Sequence, residues 1–395
     1  MAAVCALYLI HGGSIRDSSG RCARHNCRVP QSPSFLWDLF CRVVDNYGDV
    51  GVCWRLARVL AARGQRVRLW LDDASALTWM APEALSPGVP GVRVLPWSRP
   101  LDPVLLANLP RADVWVEAFG CELPSEFLAR GGAEPAAGTK RPCWLNLEYL
   151  SAEAWVERMH GLPSPVLAGP ARGATKWFFY PGFTPGTGGL LCEDDLFQRQ
   201  DDFDRAAWLA GHDIPWRGEC LLSLFCYEPP VLAQLLRRCA QAPRDTRILV
   251  TAGRAAAAFK AALASFGTLP PRVTVSWLPY LTQDDYDALL WSCDANFVRG
   301  EDSLVRALWA GQPFVWQPYP QDDGAHANKL SALLDWLDAP ADLRRFHAIW
   351  SGLDTGPLPT IDASGWRRCV RAARERLRAQ ADLATQLTGF VQQKI

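Results

Sequence analysis

The sequence predicts an α/β protein with two halves, each built around a parallel sheet, and a central cleft between them. Three observations lead to this prediction. Apolar runs of strand length alternate with helical segments in two separate series. A stretch rich in Gly and Pro, residues 163–189, separates the two series. The length of 395 residues exceeds one typical hydrophobic core and fits two domains of ordinary size.

The composition narrows the class of protein. Hydrophobic residues make up 49% and charged residues 21%, which argues against a disordered or fibrous chain. The formal net charge is zero, so no general attraction to nucleic acid or to an anionic membrane is expected. No apolar run approaches membrane-spanning length. The 13 cysteines show neither a CxxC pair nor zinc spacing, and we predict buried free thiols in a reducing cytoplasm.

The first series begins after an N-terminal stretch without any pattern. In residues 1–34, Gly, Ser, Arg and Pro mix without periodicity, and we predict a flexible extension. Residues 37–45 are typical of a buried strand and residues 51–64 of a helix with one apolar face. Arg55 and Arg58 lie on the opposite face of that helix. Further strands are predicted at 65–73, 92–97, 113–119 and 143–150.

The second series follows residues 163–189, which we expect to form an ordered loop and the connection between the halves. Thr282 is a predicted N-cap, and Gly311 followed by Pro313 is a predicted helix end. Strands are predicted at 219–228, 246–253, 273–281, 295–300 and 312–320, with helices at 229–242, 254–267, 282–294 and 301–311.

These series divide the chain into four parts: the extension 1–34, an N-terminal Rossmann-like domain 35–190, a C-terminal Rossmann-like domain 191–365, and a terminal helix 366–395 that packs back toward the first domain. Two such domains and a leftover helix are the outline of a GT-B glycosyltransferase. In that architecture the carboxyl ends of both sheets face the cleft, where ligands bind.

The first candidate site is DNYGD, residues 45–49, between the first strand and its helix. Asp45 ends the strand and Asp49 lies at the entry of the helix, so both face the crevice side of the sheet, and Gly48 permits the sharp turn. Paired carboxylates could act in catalysis. Spacing alone fits equally well a helix capped by Asp49 and an Asx turn made by Asp45.

The second candidate site is RGEDS, residues 299–303, which links a strand to a helix in the second half. Free N–H groups at the helix N-terminus, the hydroxyl of Ser303 and the guanidinium of Arg299 could hold a diphosphate. The alternative is helix capping by Asp302 or Ser303, although capping alone does not explain the charged Glu301 beside them.

The third candidate site is aromatic. Phe225 and Tyr227 follow one strand, and Tyr280 and Tyr286 flank Gln283 after another. A nucleotide base needs flat apolar faces and an amide contact for its edge, but core packing explains any single ring equally simply.

Several motifs are missing or weak. The chain has no GxGxxG and no Walker A motif. Two DxD tripeptides, at 202–204 and 285–287, lie in segments with a helical pattern, where a solvent-facing helix surface is the simpler interpretation. We therefore expect neither a metal nor another cofactor.

Five segments together resemble the EarP family of protein-arginine rhamnosyltransferases. They are WDLFCRVVDNYGDVGVCWRLARVLA, WLNLEYLSAEAWVERMHGLPSP, FFYPGFTPGTGGLL, SLFCYE and LLWSCDANFVRGEDSLVRALWAGQPFVWQPYPQDDGAHANKL. The similarity runs from about Trp37 to the C-terminus, and such long segments in this order are highly specific. The stretch before Trp37 is an extension beyond the short N-terminus of the family. It puts the assigned start codon in doubt and leaves the implied function unaffected.

The resemblance implies an inverting GT-B enzyme that moves L-rhamnose from dTDP-β-L-rhamnose to an arginine guanidinium nitrogen of translation elongation factor P, which then rescues ribosomes stalled at polyproline. It places the acceptor on the first domain and the nucleotide sugar on the second. It also implies that Asp49, Asp45 and Glu301 are catalytic. The implied substrate contacts are Asn46, Tyr47, Gly48, Phe225, Tyr227, Tyr280, Gln283, Tyr286, Arg299, Gly300, Asp302, Ser303 and Tyr319.

Two other functions fit the sequence. One is another GT-B enzyme or a sugar-nucleotide epimerase with a small-molecule acceptor. The other is a non-catalytic protein that binds a translation factor and retains the fold.

Overall fold

A computed structural model describes residues 33–43, 47–98, 100–132, 140–266, 268–321 and 323–395. The predicted extension therefore lies almost wholly outside the described residues. Residues 34–395 group together as one unit. Its strands are β1 Leu36–Cys41, β2 Arg66–Leu71, β3 Val92–Pro96, β4 Val114–Ala118, β5 Cys143–Leu147, β6 Pro163–Pro165, β7 Thr175–Phe179, β8 Cys220–Leu224, β9 Thr246–Val250, β10 Val273–Trp277, β11 Ala295–Arg299 and β12 Phe314–Gln317.

The strands form two sheets, one in each half of the chain. The first sheet has the order β3-β2-β1-β4-β5-β7-β6 and the second the order β10-β9-β8-β11-β12. Neighbouring strands are parallel, except that β6 pairs antiparallel with β7. In both sheets the strand order reverses, between β1 and β4 and between β8 and β11. Such a reversal opens a crevice at the carboxyl ends of the strands, where ligands of open α/β sheets bind.

Helices connect and cover the sheets. They are α1 Gly48–Ala62, α2 Leu77–Met80, α3 Pro103–Asn108, α4 Ser125–Gly132, α5 Trp155–Met159, α6 Leu196–Asp201, α7 Arg205–Gly211, α8 Leu232–Gln241, α9 Arg254–Phe266, α10 Gln283–Ser292, α11 Gly300–Ala310, α12 Ala325–Trp336, α13 Ala341–Trp350, α14 Ala363–Arg378 and α15 Leu383–Lys394. As predicted, Thr282 caps α10 by accepting a hydrogen bond from the N–H of Asp285, and Gly311 ends α11 with φ of +67°.

The expectation of a loop over residues 163–189 is wrong in part. Residues 163–165 and 175–179 form β6 and β7, the last two strands of the first sheet. Residues 177–179 are all aromatic and show no polar alternation, and Trp177 and Phe179 pack on Phe390 of α15, which hides the strand pattern of β7. Lys176 within it pairs with the buried Glu117 of β4 at 3.2 Å.

The C-terminal residues form two helices where the sequence suggested one. The break falls at residues 379–382, where Asp382 caps α15 by accepting from the N–H groups of Ala384 and Thr385. The apolar face of α15 joins the core of the first half through Leu383, Leu387 and Val391. The C-terminal helix α15 thus packs against the first half, as predicted.

Candidate active site

Two of the three carboxylates predicted for catalysis lie in the first turn of a helix, on opposite halves of the molecule. Asp49 belongs to α1, which follows β1, and Glu301 belongs to α11, which follows β11. Since β1 and β11 each lie where the strand order of their sheet reverses, both residues are at the kind of edge where open α/β sheets bind ligands.

Asp49 does not occupy the N-cap of α1. That position belongs to Tyr47, whose side chain makes no capping hydrogen bond. The Oδ2 atom of Asp49 instead accepts a hydrogen bond of 3.2 Å from the hydroxyl of Tyr149. Asp45 and Asn46 lie outside the described residues, so their roles and the Asx turn remain predictions.

The surroundings of Asp49 favour its neutral form. Burial, and then the negative charge of Glu301 on the other half, raise the pKa of Asp49 to about 7, against a smaller lowering by the Tyr149 hydrogen bond. A carboxylate with this pKa is a stronger base than an ordinary aspartate and is still ionised in part at neutral pH.

Glu301 is held from both halves. Gly300 before it has φ of +66°, a conformation that favours glycine, and the chain enters α11 there. The Oε2 atom of Glu301 accepts a hydrogen bond of 2.8 Å from the backbone N–H of Leu150, which belongs to the first half. Its Oε1 atom pairs with Nζ of Lys329 on α12. These contacts orient the side chain from opposite directions.

Sequence reasoning missed Tyr149 and Lys329. The Tyr149 ring stacks on Phe119 with a centroid distance of 4.6 Å, and Nζ of Lys329 lies 5.9 Å from the Tyr149 ring centroid. Tyr149 lies near the end of the predicted strand 143–150, and Lys329 lies in the HANKL segment, so their positions gave only a weak signal. Their contact with the carboxylates depends on the packing of the two halves.

Arg299 lies between two of the predicted aromatic residues. Its guanidinium carbon is 4.6 Å from the ring centroid of Phe225 and 4.7 Å from that of Tyr227. Burial lowers the pKa of Arg299. The Nη1 atom is buried and has no hydrogen-bond partner among the described residues. An anionic ligand such as a diphosphate would supply that partner.

Tyr319 extends this aromatic group toward an open cavity. Its ring packs edge-on against Tyr227 with centroids 5.5 Å apart. The cavity, of about 500 Å³, is lined by Tyr319, Pro320, Gln321 and Asp323. It lies beyond the carboxyl end of β12, on the side expected to bind the nucleotide sugar.

Tyr280 and Gln283 contact the first half directly. Tyr280 is 57% exposed, and its ring lies 4.8 Å from Trp79, which in turn meets Tyr47 at 5.9 Å. Gln283 is buried and donates a hydrogen bond of 2.9 Å from Nε2 to the carbonyl of Gly51 in α1. The exposed face of Tyr280 remains suited to base stacking, while the amide nitrogen of Gln283 already joins the two halves.

The other predicted contacts are engaged within the protein. Tyr286 packs edge-on against Phe225 at 5.3 Å and supports it. The hydroxyl of Ser303 bonds with both the N–H and the carbonyl of Arg299, the N-cap of α11. Asp302 is directed at Arg55, with Oδ1 3.4 Å from Nε. The sequence suggested either a diphosphate contact or a helix cap for Asp302. In the structure its side chain instead contacts Arg55 of the other half.

The structure offers no support for a DxD metal site. Asp202 and Asp204 flank the link between α6 and α7, where Asp204 caps α7. The expectation of a solvent-facing surface is wrong for Asp287, which is buried in ion pairs with two arginines because a second helix face packs on it. Across the described ranges, no three His, Cys, Asp or Glu side chains cluster as metal ligands would. In the same ranges, none of the helices combines the length and apolar character that a membrane crossing requires.

Comparison with known proteins points to one family. The family profile described as "EarP: Elongation-Factor P (EF-P) rhamnosyltransferase EarP" matches residues 37–392. The protein-arginine rhamnosyltransferase of Pseudomonas putida KT2440 is 43% identical over 381 residues, which cover 90% of this chain and 98% of that protein. The protein of the same name from Shewanella oneidensis MR-1 is 40% identical over 401 residues, with 90% and 97% covered.

A solved structure agrees with the sequence relatives. It is described as "Structural basis for EarP-mediated arginine glycosylation of translation elongation factor EF-P". Its chain is 30% identical to this one and superposes with a TM-score of 0.60. The alignment covers 92% of this chain and 100% of that chain. The predicted fold class, a GT-B glycosyltransferase with two Rossmann-like domains, is confirmed. The chain therefore belongs to the EarP family of glycosyltransferases, whose curated relatives are protein-arginine rhamnosyltransferases.

Proposed function

We propose that this protein transfers L-rhamnose from dTDP-β-L-rhamnose to a guanidinium nitrogen of one arginine in translation elongation factor P, with inversion at the anomeric carbon. The modified factor then acts on ribosomes stalled at polyproline. The observation that carries the proposal is that two adjacent residues, Tyr149 and Leu150, donate hydrogen bonds to Asp49 and Glu301, two carboxylates from opposite halves. Family membership supports the reaction type, and the work on the solved relative concerns the same acceptor.

An arginine acceptor explains why carboxylates are needed. The guanidinium has a pKa above about 12 and delocalised lone pairs, so it is a poor nucleophile. A carboxylate can hold two of its N–H groups and direct the third nitrogen toward the anomeric carbon. Full loss of the proton before attack is costly at neutral pH. We therefore expect proton loss to accompany or follow attack.

Asp49 is the proposed base. In the transfer step a guanidinium nitrogen forms the C–N bond, the anomeric C–O bond breaks, and dTDP departs with its electron pair. The proton from the nitrogen passes to Asp49, whose pKa of about 7 suits it to accept a proton near neutral pH. Asp45 is the proposed partner in holding the arginine, and Glu301 the proposed catalytic carboxylate of the second half.

The second half provides the proposed donor site. The departing dTDP develops negative charge, which Arg299 and the N-terminus of α11 stabilise. Phe225, Tyr227 and Tyr280 provide the aromatic faces for the base and sugar. We propose no metal for the reaction, and undiminished transfer in the presence of a chelator tests this point.

The decisive experiment is the intact mass of elongation factor P after incubation with the enzyme and dTDP-rhamnose. A gain of one deoxyhexose supports the proposal. Donor consumption without that gain indicates a small-molecule acceptor or an epimerase. Binding of the factor without donor turnover indicates a non-catalytic partner.

We further propose a cytoplasmic location. The ten cysteines within the described ranges are all free, which suits a reducing compartment.

A further inference from the structure

Arg55 lies on α1, the helix that begins beside Asp49, and it is buried where the two halves meet. The sequence pattern assigned it to the face of α1 opposite the core. This face is nevertheless not open to solvent, because Arg55 is only 1% exposed. Other parts of the same chain cover this face of α1, and the periodicity of a single helix cannot reveal such a contact.

The guanidinium of Arg55 reaches three carboxylates outside the first sheet. Its Nη2 lies 3.1 Å from Oδ1 of Asp287, and its Nη1 lies 3.2 Å from Oε1 of Glu193. Its Nε lies 3.4 Å from Oδ1 of Asp302. Nη2 also donates to the carbonyl of Gln283 at 3.3 Å. One side chain therefore contacts two helices and the segment that joins the halves.

These contacts connect the helices of the two catalytic carboxylates. Asp302 follows Glu301 directly in the first turn of α11, and Asp287 lies on α10 beside it. Arg55 thus joins the helix of Asp49 to the helix of Glu301.

A second arginine shares two of these carboxylates. Arg306 of α11 pairs with Asp287 at 2.6 Å and with Glu193 at 2.7 Å, so the cluster has two guanidinium groups against three carboxylates. Without Arg55, a single guanidinium would face all three. Unbalanced buried charge is unfavourable, and water can reach it only if α1 moves away from α10 and α11.

We propose that Arg55 is a positioning residue that sets the separation of Asp49 and Glu301 by holding α1 against α10 and α11. The inference rests on the proposed transfer reaction and deepens it. Reacting groups must be aligned closely, so a small shift of α1 relative to α11 misplaces the base.

The test compares Arg55→Met with the wild-type enzyme in three measurements. We expect kcat to fall about 10²-fold, as for other small misplacements of catalytic groups. Affinity for dTDP in calorimetry changes far less, because Phe225, Tyr227 and Arg299 all lie in the second half. The radius of gyration from X-ray scattering increases. A role in stability alone would leave kcat and the radius of the folded enzyme unchanged.

Arg58→Met is the matched control. Arg58 lies on the same helix and also approaches the second half, with Nη1 3.7 Å from Asp284, but its side chain is 29% exposed. Exposed pairs contribute little, so kcat and the radius should stay at wild-type values. For Arg55→Lys, kcat and the radius should lie between those of the wild type and those of Arg55→Met. An ammonium keeps the charge but cannot span three carboxylates.

Wild-type kcat and radius in folded Arg55→Met would overturn the inference. If that variant does not fold, Arg55→Lys decides: a lowered kcat with retained dTDP affinity supports the inference, and a wild-type kcat overturns it. Failure of the wild-type enzyme to add a deoxyhexose would instead refute the proposed function, while the scattering comparison would still test the effect of Arg55 on the two halves.

Discussion

The hydroxyl of Tyr149 donates a hydrogen bond of 3.2 Å to Oδ2 of Asp49, although 100 positions separate the two residues in the chain. The next residue, Leu150, donates its backbone N–H to Glu301. A single loop after β5 therefore contacts both carboxylates that we propose to be catalytic, and movement of this loop would disturb both. Substitution of Tyr149 is therefore the most direct test of the proposed role of Asp49 that leaves Asp49 itself in place.

Tyr149→Phe should move the acid limb of the pH–rate profile. In the wild type, kcat/KM should rise with pH through about 7, because Asp49 must be ionised to accept a proton. The Tyr149 hydrogen bond lowers the pKa of Asp49, so its removal raises that pKa and shifts the limb to higher pH. Tyr180→Phe, which removes a phenol hydroxyl elsewhere in the first half, is the control. An unmoved limb in Tyr149→Phe would argue against Asp49 as the base.

Asp49→Asn should abolish transfer while the fold is retained. The amide cannot accept the proton, and we expect kcat to fall at least about 10³-fold, measured by the intact mass of elongation factor P. Glu301→Gln should lose activity in the same assay. Glu83→Gln, which changes a half-buried carboxylate away from the proposed site, is the control. Near-normal transfer by Asp49→Asn would remove Asp49 from the mechanism.

The same Asp49→Asn variant should be more stable than the wild type at pH 8. The pKa of Asp49 is raised in the folded state, so folding favours its proton, and that contribution is present below about pH 4 and lost as the pH rises through about 7. At pH 8 the wild type retains a buried charge that asparagine lacks. We expect a gain on the order of 1 kcal/mol in the free energy of unfolding at pH 8, and none at pH 4. Equal stability at pH 8 would contradict the raised pKa.

Lys329→Met should impair catalysis through Glu301. The ammonium balances the charge of Glu301, so its loss leaves that carboxylate with the Leu150 N–H and increases the repulsion felt by Asp49. We expect kcat to fall about tenfold or more, the size of one lost charge-assisted hydrogen bond. Lys329→Arg should recover part of the rate, and Lys260→Met on α9 should have no effect. Steady-state kinetics showing wild-type kcat for Lys329→Met would contradict this role.

Tyr280→Ala should weaken donor binding more than acceptor binding. The exposed ring offers a stacking face for the base, and its loss should reduce dTDP affinity by about tenfold. Tyr280→Phe keeps the ring and its contact with Trp79, so it serves as the control with near-normal affinity. Calorimetry that finds unchanged dTDP affinity in Tyr280→Ala would exclude stacking at this position.

The sequence by itself determined the fold class and the two stretches that matter most. The periodicity of strands and helices is a local signal, and so are the helix cap at Thr282 and the helix end at Gly311. Such local signals suffice to predict two halves, each with a parallel sheet. The same signals placed Asp49 and Glu301 at the carboxyl edges of the two sheets, which is where open α/β sheets bind ligands.

Only the tertiary structure decided which side chains meet across the halves. Arg55 was predicted to lie opposite the core and is buried among carboxylates, and Tyr149 and Lys329 gave no distinct signal before their contacts with Asp49 and Glu301 were seen. The physical reason is the same in each case. Such contacts join residues far apart in the chain, and their formation depends on how one half packs on the other, which the periodicity of a single segment does not encode.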